Sequence, residues 1–374
     1  MLSAGGLQSV GGGWGWSDFL AAGISDTNSP APIYHSPSAP GEGAGSPFGP
    51  AAGLGSGPTL SSGLSITDWG ALMGIDDLRA DPRFSFADGA GYTSVVLDTG
   101  IDLDHPYFGE DANGDGVSDR IVYQYDFADN DDDASDKNGH GSNVSGIIGS
   151  SSVSFPGIAP GADLIHLKVF SDSGGGTFGM IEDALQWIVA NADSYNIVSV
   201  NMSLSDSLNH TVEKTRYGIA DEIEALANLG ITVVSAAGNR YATFAEEGVA
   251  YPAADPFSLA VGATYASNIG GPWNYSSGAT ANTTGPDVIA PFSQRSTTLT
   301  DIFAPGAPIA GAGTNGNTTT MHGTSQASPQ VAGALLLAQQ IADTYLGRWL
   351  NLSEIRSLMA STADLIVDGD DEDD

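Results

Sequence analysis

The chain has 374 residues, and its 45 Asp or Glu against 11 Lys or Arg give a formal net charge of −34 at pH 7. Such a surface repels phosphate, so we expect neither nucleic acid nor an anionic membrane as a partner. No cysteine is present, which excludes disulfides and leaves the compartment undetermined. The longest uninterrupted apolar run, residues 331–338, is too short to span a bilayer.

Residues 1–65 are rich in Gly, Ser, Pro and Ala and show no sustained period of 2 or 3.6, which predicts an irregular or flexible leader. The leader has no basic stretch followed by an apolar one, so we expect no ordinary secretory signal in it. Residues 367–374 form an acidic run that we expect to be a solvated tail. The main folded domain is therefore predicted over residues 66–366.

From residue 93 onward, short apolar segments alternate with amphipathic stretches. The segments that predict strands are 93–100, 164–170, 197–204, 231–238 and 258–264. Helical spacing of apolar residues predicts a helix over 178–192 and a second helical stretch over 212–229. This alternation predicts an α/β fold, a three-layer αβα arrangement with a mostly parallel central sheet. In such sheets, functional sites gather at the carboxyl ends of the strands.

The stretch HGTSQASP places Ser325 among small residues. A serine hydroxyl is a weak nucleophile, so catalysis here requires a base, an acid that orients the base, and a site for the oxyanion. None of the six histidines follows Ser325, which excludes the Ser, acid, His order of the α/β-hydrolases. No two histidines are close enough in sequence for an HExxH zinc pair.

His140 is the best candidate for the base, because it lies among glycines and small polar residues at a predicted helix start. A structural histidine is the alternative interpretation. His166 lies inside an apolar strand and is expected in the core. His105 and His322 are expected in loops, without a catalytic constellation of their own.

Asp98 lies at the carboxyl end of a predicted buried strand, the position expected for an acid that holds an imidazolium. Its triplet DTG is also the signature of aspartic proteases of the pepsin type, but those are all-β and need a second copy. The nearest imitation is DSG at 172–174, which lies in a parallel α/β pattern. Asn239 comes directly after another predicted strand and could donate to an oxyanion, although Asn after Gly is also common in turns.

These four stretches, VVLDTGIDLDHP, NGHGSNVSGIIG, SAAGN and HGTSQASPQVAG, resemble in this order the subtilisin-like serine proteases (the subtilase family, peptidase S8). The resemblance covers about residues 70–365. It implies that Ser325 is the nucleophile, His140 the general base, Asp98 the orienting acid and Asn239 the oxyanion donor. It also implies that the substrates are proteins or peptides.

The resemblance further implies residues that bind an extended peptide. They are Gly174, Gly175 and Gly176 in a glycine-rich loop, Ser203, Leu204 and Ser205 in a second segment, and Tyr251 at the border of the S1 pocket. A plain flexible loop is the alternative for the glycines.

The chain departs from the family pattern at several positions. Asn143 stands where a second histidine is usual, Gln326 and Gln330 replace Met and His after the serine, and Ser205 replaces Gly. Tyr107 replaces an aspartate that often binds calcium in the family. No triad group is lost, but neither the family's substrate specificity nor that calcium site carries over to this chain from the resemblance.

The segment DANGDGVSD has the spacing of a calcium-binding EF-hand loop. Asp111, Asn113, Asp115 and Asp119 occupy positions 1, 3, 5 and 9, and the Val117 carbonyl occupies position 7. A solvated Asp/Gly turn is the alternative. The acidic run 129–136 is either a second cation site or a charged loop.

Together these features predict a calcium-stabilised serine endopeptidase, extracellular or on the cell surface, and monomeric. Two other hypotheses stay open at this point: a catalytically silent calcium-binding surface module with the same fold, and a serine hydrolase that acts on esters.

Overall fold

The computed structural model describes residues 7–9, 47–50 and 67–366. Its strands are β1 Leu7–Ser9, β2 Pro47–Pro50, β3 Thr93–Asp98, β4 Ile121–Asp126, β5 Asp163–Lys168, β6 Gly176–Thr177, β7 Ile197–Met202, β8 Leu204–Ser205, β9 Thr232–Ala236, β10 Ser258–Tyr265, β11 Trp273–Asn274, β12 Thr280–Ala281, β13 Ile302–Ala307, β14 Ile309–Ala312, β15 Thr318–Met321 and β16 Asp364–Ile366.

The α-helices in the same residues are α1 Thr67–Leu72, α2 Ile75–Ala80, α3 His140–Gly149, α4 Phe178–Asn191, α5 Ala220–Asn228, α6 Tyr241–Phe244, α7 Thr324–Leu346 and α8 Leu352–Thr362. A short 3₁₀ helix spans Pro106–Phe108. In the described part of the chain, no helix combines the length and apolar character needed to cross a membrane.

The central sheet of the described residues has nine strands, in the order β16-β1-β13-β10-β9-β7-β3-β5-β4. The seven strands from β13 to β4 are all parallel to their neighbours. At the other edge β1 is parallel to β13, and β16 is antiparallel to β1. The prediction of a mostly parallel sheet is confirmed.

Two apolar clusters lie on opposite faces of this sheet, because successive strand residues point to opposite sides. In β3, Val96 belongs to the cluster under α3 and α7, whereas Val95 and Leu97 belong to the cluster under α4 and α5. Burying each such side chain stabilises the fold by about 1.5–3 kcal/mol. The result is the predicted three-layer αβα arrangement, with Asp98 at the carboxyl end of a central strand.

Of the two predicted helices, one is confirmed and the other is shorter than predicted. Phe178–Asn191 is helical as expected, and the Thr177 hydroxyl accepts the Met180 amide at its start. The stretch 212–229 is helical only from Ala220 to Asn228, so that prediction was too long. Tyr217 and Gly218 both have left-handed φ angles, 60° and 83°, which no right-handed helix can include.

The leader contributes two short strands to the described structure. Besides β1 at the sheet edge, β2 pairs antiparallel with both β6 and β8, so that three short strands form a separate sheet. The rest of the predicted leader and the acidic tail 367–374 lie outside the described residues.

Candidate active site

Asp98 and His140 form a buried pair. The Asp98 side chain is 0% exposed, and its Oδ1 accepts both the Thr99 amide and Nδ1–H of His140, each at 2.7 Å. Since Nδ1 faces a carboxylate, it carries the proton of the neutral ring. This leaves Nε2 as the basic nitrogen.

Two opposing effects set the pKa of His140. Burial lowers it, because a charged ring loses hydration, whereas the charge and hydrogen bond of Asp98, helped by the charge of Asp136, raise it. The net result is a pKa above the ordinary value of 6.5. The pair is therefore suited to take up a proton at Nε2 and to stabilise the resulting cation.

Asp136 connects the strand that carries the acid to the helix that carries the base. Its Oδ1 accepts from the Asn138 and Gly139 amides and the Thr99 hydroxyl, and its Oδ2 accepts from the amide and hydroxyl of Ser142. The Thr99 hydroxyl in turn accepts the Gly141 amide at 3.0 Å. A buried anion at a helix N-terminus is favourable, so this network fixes the first turn of α3 beside Asp98.

Ser325 is the second residue of α7 and is 1% exposed. Asn239, which follows β9, supports the same turn: its Oδ1 accepts from the Thr324 amide at 2.9 Å and from the Thr324 hydroxyl at 3.0 Å. An amide N–H can only donate, so these bonds identify the oxygen end of the Asn239 side chain. A Cβ on Gly323 would lie 3.1 Å from Asn239 Nδ2, which explains the glycine there.

The helices of the base and of the nucleophile pack against each other. Gln326 donates through Nε2 to Asn143 Oδ1 at 3.3 Å, so two departures from the family pattern contact each other. The Ser325 hydroxyl donates to the Ser203 carbonyl oxygen at 3.3 Å. Nε2 of His140 is buried and accepts no hydrogen bond from the described residues, so a Ser325–His140 hydrogen bond is not formed in this state.

A groove for an extended chain lies beside this site, between β6 and β8. Strand β2 fills it: Phe48 is opposite Gly176, and Gly49 is opposite Ser205. The antiparallel pairing on both sides is how an extended peptide is added to strand edges. Of the predicted substrate residues, Gly176, Leu204 and Ser205 therefore lie on this groove.

A comparison with known sequences identifies the family. The subtilase family (peptidase S8) matches residues 89–373. The chain belongs to the subtilase family.

Named relatives of this subtilase are serine proteases. The chain is 31% identical over 312 residues to alkaline serine exoprotease A of Vibrio alginolyticus, covering 82% of this chain and 49% of that one. It is 30% identical over 298 residues to subtilisin E of Bacillus subtilis, covering 78% and 65%. The chain thus spans about half to two thirds of the length of these relatives.

The fold agrees with a solved structure of the same family. A crystal structure of a cold adapted subtilisin-like serine proteinase superposes with a TM-score of 0.58 at 30% identity, covering 76% of this chain and 86% of that chain.

Three other predicted substrate residues, Gly174, Gly175 and Tyr251, are not part of the strand pairing with β2. Gly174 and Gly175 form a turn closed by bonds to Ser171. Tyr251 is fully buried, its hydroxyl donates to Asp255 Oδ2 at 3.2 Å, and its ring packs edge-on to that of Tyr217. In this subtilase, Tyr251 is therefore a buried side chain that packs beneath the groove and does not line its surface.

The predicted calcium loop is folded around the Asp111 carboxylate. Its oxygens accept the Gly114, Asp115 and Gly116 amides, and these bonds, the one from Gly116 foremost, lower the pKa of Asp111. Nevertheless, no three His, Cys, Asp or Glu side chains in the described residues are grouped so as to hold a metal ion. The acidic run 129–136, the alternative second cation site, likewise forms no such group.

Sequence reasoning missed two contributors to the site. Asp136 ends an acidic run that reads as a solvated loop, yet it is buried and accepts five hydrogen bonds. The signal for its role was its position four residues before His140, at the predicted helix start. The occupation of the groove by residues 47–50 had no signal in the leader's composition. His105 and His322 lie in loops as predicted, although both are buried.

Proposed function

We propose that this subtilase is a serine endopeptidase that hydrolyses peptide bonds with Asp98, His140 and Ser325. The observation that carries the proposal is the 2.7 Å contact between the buried Asp98 carboxylate and His140 Nδ1. This contact fixes the tautomer and raises the pKa of the base.

In the proposed mechanism, the Ser325 hydroxyl attacks the scissile carbonyl carbon while His140 Nε2 takes its proton. Asp98 stabilises the imidazolium that forms. His140 then gives the proton to the leaving amine, and a water molecule hydrolyses the acyl-enzyme by the same route in reverse. Asn239 Nδ2 and the Ser325 amide, at the N-terminus of α7, donate to the oxyanion.

The groove supports action on internal bonds. Strand β2 is an internal segment, with chain on both sides, and it pairs with β6 and β8 at the same time. A peptide bound in this way enters and leaves the groove as a continuous strand. Gly176, Leu204 and Ser205 would pair with the substrate backbone, and Gly174, Gly175, Ser203 and Tyr251 would shape the groove around it.

Three finer statements are part of the same proposal. Asp111, Asn113, Asp115, Asp119 and the Val117 carbonyl would hold calcium, on the strength of their spacing and hard oxygen donors. Calcium would stabilise the loop and enters no catalytic step. We also propose that the protein acts outside the cell or on its surface, as a monomer.

Hydrolysis of an internally quenched peptide library tests the proposal, with Ser325→Ala as the matched control. We expect cleavage at internal bonds by the wild-type chain and none by Ser325→Ala. A folded wild-type chain that cleaves no peptide would favour the silent surface module. Cleavage of esters but not of peptides would favour the ester hydrolase, and undiminished cleavage by Ser325→Ala would remove Ser325 from the mechanism.

A further inference from the structure

A second histidine lies directly under the catalytic pair. His166 is in β5, where it is opposite Val96 of β3 and Gln124 of β4, and its side chain is 0% exposed. Two residues further along, Lys168 is opposite Asp98. Because strand residues alternate in direction, His166 points to the same face of the sheet as Asp98, toward α3.

Both ring nitrogens of His166 have hydrogen-bond partners. Nε2 is 3.1 Å from the Gly100 amide nitrogen, and Nδ1 is 3.2 Å from the Ser145 hydroxyl. The Gly100 amide can only donate, so Nε2 must be unprotonated, and the neutral ring then carries its proton on Nδ1, toward Ser145. If the ring were protonated at both nitrogens, its Nε2–H would face the Gly100 N–H, and the hydrogen bond to Gly100 would be lost.

The ring also packs where the strand of the acid meets the helix of the base. A Cβ built on Gly141, the residue after His140, would lie 2.9 Å from His166 Cε1, 3.1 Å from Asp98 Cβ and 2.2 Å from the Gly100 carbonyl oxygen. No side chain fits at Gly141. The ring of His166, the Asp98–Gly100 turn and the start of α3 are therefore packed against one another.

The charges around His166 would by themselves favour a cation. Asp98 at the end of β3, Asp136 before α3 and Asp126 in β4 raise its pKa, whereas Lys168 in its own strand lowers it. The ring of His140 belongs to the first residue of α3, directly before Gly141. Burial outweighs the carboxylates and lowers the pKa of His166 to about 4. The ring is therefore neutral throughout the range in which His140 is a competent base.

We propose that His166 is a positioning residue for the catalytic acid: its unprotonated Nε2 holds the Gly100 amide and thereby fixes the turn that presents Asp98 to His140. The inference rests on the triad assignment proposed above. Neither ring nitrogen is directed at the groove, so the effect is on turnover and on the base, and not on substrate binding.

Two variants separate the hydrogen bond from the bulk of the ring. His166→Gln offers one acceptor for Gly100 and one donor for Ser145 and does not titrate, whereas His166→Leu fills similar space without either. We expect His166→Leu to lower kcat by up to about 10²-fold, the cost of a small misplacement of catalytic groups, with KM unchanged. The acid limb of its kcat/KM profile should move to lower pH, because Asp98 holds the imidazolium less well. His166→Gln should restore most of kcat and the position of the limb.

His105→Leu is the control for the loss of a buried histidine. His105 is 0% exposed, its Nδ1 accepts the Tyr107 amide, and its Nε2 contacts the Asn317 carbonyl. The His105→Leu variant should leave kcat and the pH of the acid limb unchanged. Equal losses in His166→Gln and His166→Leu, or a Leu variant that changes KM alone, would overturn the proposal.

A spectroscopic test does not depend on activity or on a folded variant. The ¹⁵N spectrum of the wild-type chain should show His166 with a protonated Nδ1 and an unprotonated Nε2 from pH 5 to pH 9. A protonated Nε2 in that range would overturn the proposal. The Ser325→Ala chain should give the same spectrum, because the hydrogen bonds of His166 go to Gly100 and Ser145 and not to Ser325. The spectrum therefore tests the role of His166 separately from the triad assignment.

Discussion

The Ser203 hydroxyl donates to the carbonyl oxygen of Ser325 at 2.8 Å. In an uninterrupted α-helix that carbonyl would accept the amide of residue 329, but residue 329 is proline and has no N–H. Pro329 therefore removes a bond from the nucleophile's own residue, and a side chain from the segment between β7 and β8 replaces it.

This replacement predicts an energetic coupling between Ser203 and Pro329. Ser203→Ala removes the bond to this carbonyl and should lower the free energy of unfolding by about 0.5–1.5 kcal/mol. In a Pro329→Ala background the cost should be smaller, because the alanine supplies a backbone amide that can donate to the Ser325 carbonyl. Urea unfolding of the four chains, all carrying Ser325→Ala to prevent self-digestion, measures the coupling. The Ser203 bonds to Asn201 and Ser328 are lost in both backgrounds and cancel, so equal costs would disprove the coupling.

The raised pKa of His140 predicts how activity depends on pH. The base must be unprotonated, so kcat/KM should fall as pH decreases through a pKa that lies above the ordinary value of 6.5. Asp98→Asn removes the main cause of the increase and leaves burial opposed only by the weaker effect of the Asp136 charge, so the pKa of His140 should fall below 6.5. NMR titration of His140 in the Ser325→Ala chain, with and without Asp98→Asn, measures both values. A titration that is the same in both chains would contradict the account.

The strand that fills the groove predicts an intramolecular competitor. Deleting residues 44–53 removes β2, which pairs with both edges of the groove, so a peptide substrate should bind more tightly. We expect KM to decrease and kcat to stay constant. A deletion of equal length at residues 20–29 is the control. If both deletions give the KM of the full chain, β2 does not compete with substrate.

The calcium proposal predicts a change in thermal stability. A ligand that binds only the folded state stabilises it by about 2.7 kcal/mol at one hundred times its Kd, so calcium should raise Tm after treatment with a chelator. Asp111→Ala should abolish this increase, because position 1 of the loop is lost. Magnesium serves as the control cation. An increase of the same size in Asp111→Ala would place calcium elsewhere, and no increase in the wild-type chain would remove the site.

The sequence was informative where local pattern and function coincide. A strand that is buried on both faces has a continuous apolar sequence, so the end of β3 and the position of Asp98 could be predicted. The helical spacing of apolar residues likewise predicted α4. Polar edges and interrupted strands carry weaker signals: β4 has alternating polar residues at the sheet edge, and β13 contains Pro305 and Gly306.

Contacts between distant segments could not be predicted in the same way. The acidic run before His140 looks like any solvated loop, and only the tertiary fold places the Thr99 hydroxyl against Asp136. His166 was correctly predicted as a core residue, but its partner Gly100 is 66 positions away in the chain. Such pairings depend on strand order and register, which a single sequence does not encode locally.

The central claim is that Ser325 is an activated nucleophile held by the Asp98–His140 pair. The most direct test is labelling of the full chain with a fluorophosphonate probe, with the adduct mapped by mass spectrometry in wild type, Ser325→Ala and Asp98→Asn. The account predicts a single adduct on Ser325 in the wild type, none in Ser325→Ala, and much slower labelling of Asp98→Asn. An unlabelled but folded wild-type chain, or an adduct on another serine, would contradict it.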